Sequence, residues 1–375
     1  MPLPRKAILL LLDSLPLGEL GCYGGFREKT PGFDCLAARG AVFENAFTPL
    51  ITDAGSAFDE QGPWSAAWHA FVARLRLEDC PADEIVCSTL AELTEASTSD
   101  RMAAFLGRAE PGLLAISGPE LVPPPVHGHL SVVDEAVATL HAAIETTSGT
   151  EVLFVVGALQ GASGGGSSEG DEEESGSELP RETDRSVGPD DSVGDSFPRL
   201  VARRINVPLL VRPPVPVVPG LRVQALVTTT DIVATLEDWL LPGTRPPSDA
   251  EAASSGGFSL LPLVTCEREA VRNEILIRGP GEIALRTSDR YVVVGLNETA
   301  APSDGVPYDD RRSDESSASP GHERQGDDHD DVPAAVAVFR KPEDVWDRLD
   351  VGNTMPEERD MLVHLCRKLF AGTSR

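Results

Sequence analysis

The sequence predicts an α/β protein in which helices cover both faces of a sheet. Two apolar runs, 7–12 and 152–156, are continuous rather than alternating, which is typical of strands buried on both faces. Strand and helix signals then alternate along most of the chain. From about residue 270 the pattern changes to short strands and tight turns, which indicates a smaller antiparallel sheet.

The amino-terminal elements follow from local signals. The strand at 7–12 precedes a glycine-rich turn, Thr30-Pro31 marks the start of a helix, and Gly40 marks its end. A second strand is predicted over 41–47. Helical spacing of apolar residues and short apolar runs then predict helices at 64–77 and 89–107 and strands at 84–87 and 112–117.

The second half of the chain continues this alternation before the small sheet begins. Apolar residues at helical spacing predict a helix at 129–145, which the strand at 152–156 follows. A strand at 207–211 and a helix at 230–240 complete the larger unit. The smaller unit consists of predicted strands at 274–277, 283–286, 291–296 and 334–339 and a closing helix at 356–370. We therefore predict two units, residues 1–268 and 269–375.

Negative charge is concentrated in two segments. The net charge of −28 argues against a general nucleic-acid binder, because phosphate contacts need clustered Lys and Arg. Residues 167–195 hold eleven acids against two arginines, and residues 303–331 hold ten acids against three. Segments with so few apolar residues cannot offset the entropy of ordering. We predict disordered acidic inserts at about 161–196 and 302–333.

The amino terminus imitates a signal peptide, with Arg5 and Lys6 ahead of an apolar run. That run ends at Asp13 and no small-residue cleavage site follows, so a core strand is the better interpretation. No stretch approaches the ~20 apolar residues of a membrane span, and no membrane partner is expected. The six cysteines include no CxxC pair, which favours buried reduced thiols and a cytoplasmic location.

Several segments occur in an order typical of one enzyme family. A strand ends in Asp13-Ser14, a turn contains Gly24-Gly25, a helix starts at Thr30-Pro31, and a second strand ends at Thr48-Pro49. This run resembles the amino-terminal segment of sulfatases, members of the alkaline-phosphatase superfamily. Further segments resemble the family in the same order: 129–142, 207–212, 219–220, 227–236, 258–263, 286–291 and 344–350. The resemblance spans nearly the whole chain and implies an alkaline-phosphatase-like fold, in which helices sandwich a mixed sheet.

The resemblance also implies a metal-dependent hydrolase of sulfate esters. Family members hold Ca²⁺ or a similar hard cation with clustered carboxylates, two of them adjacent aspartates at the end of the first strand. In this chain the pair is Asp13-Ser14, so one carboxylate remains and a hydroxyl replaces the other. An active enzyme of this kind would need Ca²⁺ or Mg²⁺, whereas a degenerate one would need no cofactor.

The nucleophile of the family is a formylglycine made from Cys or Ser shortly after the second strand. Counting on from residues 45–49 places Asp53 at that position and Ala57 at the place of a following arginine. Neither residue can be converted to formylglycine. An aspartate can be a nucleophile or a ligand in other enzymes, but a loop aspartate near a helix start is the simpler interpretation of Asp53.

The second metal-bearing strand of the family usually ends in Asp-His-Gly or Asp-Asn-Gly. The run 153–156 aligns with this strand, so Leu159 replaces a carboxylate ligand, Gln160 replaces the His or Asn, and Gly161 is kept. A leucine in a calcium cage removes a ligand and a negative charge together. The basic residue expected before 207–208 has no clear counterpart, although arginines lie nearby.

Three further residues are candidates for chemistry. Cys35 formally fits the family's C-x-A-x-R motif together with Arg39, but it lies in the predicted first helix, where a buried structural thiol is the better interpretation. His127 and His129 follow a proline-rich loop at the end of a strand, where family members often contact substrate. We therefore count both histidines as candidate catalytic residues.

Two functions follow from these substitutions. The favoured one is a catalytically degenerate sulfatase homologue, a pseudoenzyme that binds an unknown protein partner or a sulfated or phosphorylated small molecule. The alternative is an active sulfuric- or phosphoric-ester hydrolase with a site rebuilt around Asp13 and Asp53. Loss of at least three site positions favours the first, because metal ions supply several kcal/mol of transition-state stabilisation. A decaying gene product is a third possibility.

Overall fold

A seven-stranded sheet forms the centre of the larger unit in the computed structural model. Three parallel neighbours, β5 (Gly112–Glu120), β1 (Arg5–Ser14) and β6 (Glu151–Gln160), occupy its middle. The sheet is completed by β4 (Ala82–Val86) beside β5 and by β7 (Leu209–Arg212), β2 (Ala41–Phe43) and β8 (Leu221–Val223) beyond β6. Among these strands β7 alone runs against its neighbours, so the sheet is mixed.

The structure describes most of the chain outside the two acidic segments, namely residues 3–51, 63–98, 100–120, 128–147, 149–161, 198–215, 217–243, 257–296 and 335–372. Asp53 and His127 lie outside the described residues, and so do nearly all of the inserts predicted at about 161–196 and 302–333. None of the described helices is long and apolar enough to cross a membrane.

Helices cover both faces of the central sheet. Alternate residues of β1 point to opposite faces, so Leu9 and Leu11 join one apolar cluster while Leu10 and Leu12 join another. The first cluster contains α2 (Pro63–Leu77) and α7 (Thr230–Leu240). The second contains α1 (Pro31–Arg39), α3 (Leu90–Thr98), α4 (Asp100–Gly107) and α5 (His129–Thr146). This layered arrangement confirms the predicted mixed sheet between helices.

The first strand is a core element, as predicted. Its Lys6, one of the two basic residues that imitate a signal peptide, is fully buried. The Lys6 ammonium donates to the carbonyls of Leu106 and Arg108, each at 2.6 Å, and the carbonyl of Lys6 accepts from the Trp239 indole at 2.8 Å. Burial lowers the pKa of Lys6. The carbonyls of Leu106 and Arg108 replace the hydrogen bonds that the buried ammonium loses from water.

Two predicted elements are divided in the structure. The strand predicted over 41–47 is β2 and β3 (Ala46–Phe47), and β3 pairs with β9 (Val227–Thr228) in a separate ladder. The helix predicted over 89–107 is α3 and α4. The Ser97 and Thr98 hydroxyls both donate to the carbonyl of Thr94, and such side-chain bonds compete with the helix backbone.

The smaller unit is an antiparallel sheet with one helix. Its strands are β10 (Glu274–Gly279), β11 (Glu282–Thr287), β12 (Arg290–Gly295) and β13 (Val336–Arg340), in that order. One face packs on α9 (Pro356–Gly372), and the other packs on the larger unit around α6 (Ala202–Ile205). A short helix, α8 (Leu261–Val264), precedes this unit. The predicted small sheet is confirmed, and the boundary at residue 268 stays a prediction.

Candidate active site at the carboxyl edge of the parallel strands

The carboxyl ends of β5, β1 and β6 meet at one edge of the central sheet. Ser14 is the register partner of both Glu120 and Gln160, and the Leu15 amide donates to the Gln160 carbonyl at 3.1 Å. Open α/β sheets bind ligands at this edge. The structure therefore places Asp13 and Ser14 beside the Leu159–Gln160 segment, as the aligned sulfatase motifs require.

Asp13 and Leu159 lie on the same face of the sheet. The register pairs Leu12 with Ala158 and Ser14 with Gln160, so Asp13 and Leu159 are neighbours across the β1–β6 ladder. Leu159 is 2% exposed and belongs to the apolar cluster of α2 and α7, whereas Asp13 is 8% exposed. The position that the predicted alignment assigns to a metal-binding carboxylate is therefore part of the hydrophobic core.

The described residues do not fit a calcium cage. Ca²⁺ takes six to eight oxygen ligands, most of them carboxylates and carbonyls. At this edge Asp13 is followed by Ser14, a buried hydroxyl, and faces the apolar Leu159. Within the part of the chain that the structure describes, no group of three or more His, Cys, Asp or Glu side chains could hold a metal ion.

Gly161, the retained glycine of the second motif, is required by packing against α6. Its amide donates to the Arg204 carbonyl at 2.9 Å, and a Cβ atom at this position would lie 2.2 Å from the Arg203 carbonyl oxygen. The glycine is therefore explained by a close backbone approach, independent of catalysis. Arg204 is half-buried, and its Nε has no hydrogen-bond partner among the described residues.

His129 is the first residue of α5 and is partly exposed. Gly128 precedes it with a φ of 96°, a left-handed conformation that favours glycine. The His129 side chain makes no hydrogen bond or ion pair with another described residue, and α5 packs on the sheet face opposite Leu159. His129 therefore forms no hydrogen bond or ion pair with Asp13, and a catalytic role for His127 or His129 stays a prediction.

Cys35 lies on the side of the molecule between α1 and α5. The prediction of a buried thiol is wrong, because Cys35 is exposed. Its Sγ is 3.9 Å from Nδ1 of His141. His141 lies twelve residues after the first residue of α5, which corresponds to about 18 Å along the helix. This distance from the carboxyl edge agrees with the interpretation that Cys35 is not the family's nucleophile.

His141 itself is buried beside two arginines. Burial lowers its pKa, and the positive charge of Arg212 acts in the same direction. Glu145 opposes both effects, with its Oε1 3.8 Å from Nε2 of His141. The imidazole is therefore predominantly neutral at pH 7.

A polar cluster between the two units escaped the sequence analysis. Arg286, Lys341 and Asp347 meet there around a cavity of about 140 Å³. Burial lowers the pKa of Arg286 to about 10, so the guanidinium is still charged at pH 7. A cation within a mostly apolar strand was the signal available in the sequence, since β11 buries Arg286 after the apolar residues 283–285.

Comparisons with known proteins agree with this architecture. No family model matches the chain. A 58-residue stretch, 15% of the chain, is 38% identical to human N-acetylgalactosamine-6-sulfatase and spans only 11% of that protein's length.

Solved structures match over much more of the chain. A candidate sulfatase, yidJ from Bacteroides fragilis, superposes with a TM-score of 0.63 at 11% identity and covers 100% of this chain and 97% of its own. The 2-O GAG sulfatase BT1596 gives a TM-score of 0.60 at 13% identity, and the match covers 99% of this chain and 92% of that one. An alkaline-phosphatase-superfamily protein from Vibrio parahaemolyticus gives a TM-score of 0.53 at 11% identity. That match covers 80% of this chain and 78% of the Vibrio chain.

These likenesses concern the fold, because the identities are low. For the two sulfatase-type structures they extend over nearly the whole chain, and therefore over both units. Together with the mixed sheet and the separate antiparallel sheet, they show that this chain has the sulfatase fold of the alkaline-phosphatase superfamily.

Proposed function

We propose that this chain is a catalytically degenerate member of the sulfatase family, which binds a partner and does not hydrolyse sulfate esters. The observation that carries the proposal is the pair of Asp13 and Leu159. The first is a single carboxylate at the carboxyl edge of β1, and the second is a core leucine at the place of a metal ligand.

The energetics of the reaction support this proposal. Hydrolysis of a sulfate ester needs positive charge beside the sulfate oxygens, and a bound dication normally supplies it. One carboxylate beside a buried leucine cannot replace the hydration shell of a divalent cation, whose removal from water is costly. The alternative, an active sulfuric- or phosphoric-ester hydrolase built around Asp13 and Asp53, would need further ligands from outside the described residues.

Two classes of partner are proposed, a protein or a sulfated or phosphorylated small molecule. One structural neighbour, with a TM-score of 0.61 at 11% identity, is in complex with its substrate D-glucosamine-2-N,6-O-disulfate. Sulfated sugars are therefore the first small molecules to test. A cytoplasmic location is also proposed, and six free cysteines support it because disulfides are rare in reducing compartments.

A calorimetric titration of chelator-stripped protein with Ca²⁺ and with Mg²⁺ tests the proposal, together with assays on 4-methylumbelliferyl sulfate and phosphate. We expect no saturable metal binding and no metal-dependent hydrolysis. Asp13→Ala should then behave like the matched control Asp360→Ala, whose aspartate is exposed on α9. Tight binding or turnover that Asp13→Ala or Asp53→Ala abolishes and Asp360→Ala retains would establish the active hydrolase instead.

A further inference from the structure

The cavity between the two units is built from polar groups of both. Asn45 and Gln224 line it from the larger unit, together with Asn206 at the end of α6. Arg286 of β11 and the Lys341–Asp347 pair line it from the smaller unit. None of Asp13, Ser14, Leu159 and Gln160 lines the cavity, so its residues are distinct from those of the proposed degenerate site.

Arg286 brings to this cavity a positive charge that has no ion-pair partner among the described residues. Arg286 is 4% exposed, and its guanidinium carbon Cζ lies 5.6 Å from the centroid of the Phe47 ring. Nη1 donates to the carbonyls of Thr287 and Arg290. No carboxylate among the described residues forms an ion pair with it, although buried charges are normally paired.

The other charges around the cavity cancel in pairs. The Lys341 ammonium lies 2.5 Å from Asp347 Oδ1, and Asp347 Oδ2 accepts from the Ala202 amide at 2.5 Å. Glu44, a further lining residue, is paired with Arg222. Arg222 lies outside the lining, and the four charged lining residues sum to zero. Arg286 is the one of the four without an ion pair among the described residues, so a ligand with one negative charge would supply the partner that it lacks.

Asn206 contributes to the cavity an acceptor that needs a hydrogen-bond donor. Its Oδ1 is buried and has no hydrogen-bond partner among the described residues. A buried acceptor of this kind is costly unless a ligand or water donates to it. The cavity volume of about 140 Å³ is well below the ~300–1,000 Å³ of drug-sized pockets, so a matching ligand must be small.

We propose that this cavity binds a small hydroxycarboxylate, whose carboxylate pairs with Arg286 and whose hydroxyl donates to Asn206. The planar guanidinium suits this role because it can give two parallel N–H bonds to one carboxylate. The ligand would contact both units, so its binding would stabilise their junction.

Isothermal titration calorimetry of the full chain with L-lactate and with glycerate tests this assignment. Acetate is the comparison ligand that lacks a hydroxyl, and sodium chloride at the same ionic strength is the control for salt effects. We expect saturable binding of lactate or glycerate, with acetate weaker by about tenfold or more. Arg286→Lys should weaken binding by a similar factor, since an ammonium cannot form the two parallel bonds. Arg340→Lys, a change at an exposed position of β13, should leave binding unaltered.

Asn206→Ala keeps the test decisive if Arg286→Lys does not fold. This variant removes an oxygen that has no partner among the described residues, so the fold should be kept. It should bind lactate and acetate with equal affinity. The assignment is overturned if the wild-type chain binds neither hydroxycarboxylate saturably, if acetate binds as tightly, or if Asn206→Ala still distinguishes lactate from acetate. These results leave the metal titration of Asp13 unaffected, so the two proposals fail separately.

Discussion

Asp13 lies beside Leu159 at the carboxyl edge of the central sheet, on one face of two parallel neighbouring strands. The predicted alignment makes Asp13 a metal ligand, but its neighbour across the ladder is the buried side chain of Leu159. The leucine contributes to the apolar cluster that packs β6 against α7, so this position serves the core of the fold.

Leu159→Asp should destabilise the chain more than Leu159→Asn does. Both variants lose apolar packing, for which large-to-small core changes cost about 2–5 kcal/mol. The aspartate also buries a negative charge beside Asp13, which the asparagine does not. Urea unfolding at about pH 8 should show the difference, and at about pH 5 it should shrink because a buried carboxyl takes up a proton more readily.

The matched control for this series is Leu77→Asp at the end of α2. Leu77 is 82% exposed, so the same change should alter the free energy of unfolding by no more than about 0.5 kcal/mol. Equal stability of Leu159→Asp and Leu159→Asn at about pH 8 would contradict the burial of this position beside Asp13.

Arg272→Ala should be strongly destabilising because it leaves Asp231 buried without its cation. The Arg272 guanidinium contacts both carboxylate oxygens, at 2.5 and 2.6 Å, and the Asp231 side chain is fully buried. The same oxygens accept from the amides of Thr228 and Phe258, each at 2.7 Å. Removal of one partner of a buried ion pair costs about 3–5 kcal/mol, which chemical denaturation would measure.

A double-mutant cycle separates the pair from its surroundings. Asp231→Asn combined with Arg272→Ala should be less destabilising than the sum of the single changes, since no unpaired charge remains. Arg76→Ala, at an exposed position on α2, serves as the arginine control. Additive single effects would show that Asp231 and Arg272 are not coupled.

Loss of stability on mild acidification should depend on His141. Burial holds the pKa of His141 below its ordinary value of 6.5, so the unfolded chain binds the proton first as the pH falls. The stabilisation is present above pH 6.5 and is lost as the pH falls through the folded-state pKa. The urea midpoint should therefore drop less between about pH 7.5 and 5 in His141→Gln than in the wild type.

His364→Gln is the comparison for this experiment, because His364 is exposed on α9. Its midpoint should follow the wild-type curve. If His141→Gln retains the full wild-type acid sensitivity, other groups cause the loss and the buried imidazole does not contribute.

The thiols should fall into two classes in a labelling experiment. Cys35 and Cys266 are exposed, and the other four cysteines are buried. Burial raises the pKa of Cys22 and of Cys366 to about 12, so neither forms the reactive thiolate near neutral pH. A chromogenic disulfide reagent should titrate two thiols in the native protein and six after unfolding.

Single changes assign the two reactive thiols. Cys35→Ser and Cys266→Ser should each remove one native thiol from the count. Cys22→Ser should leave the native count at two, and a lower count in that variant would contradict the burial of Cys22.

Local pattern was sufficient for most elements of the larger unit. The continuous apolar run at 7–12 lies within β1, and the predicted helix at 230–240 coincides with α7. The signals fail where side chains compete with the backbone, as the Ser97 and Thr98 hydroxyls do at the end of α3. The exposure of Cys35 was missed because α1 presents one side to solvent, which a helix boundary alone does not reveal.

The sequence by itself determined the fold class, since apolar periodicity and helix-end signals are local properties of the chain. It also supplied the resemblance from which Asp53 and Leu159 are predicted to stand at the positions of a nucleophile and a metal ligand. Only the tertiary structure decided that Leu159 is core beside Asp13, that Asp231 meets Arg272 41 positions later, and that Arg286 faces a polar cavity. Such contacts depend on packing between segments that are distant in the chain, and local spacing does not specify which distant segments meet.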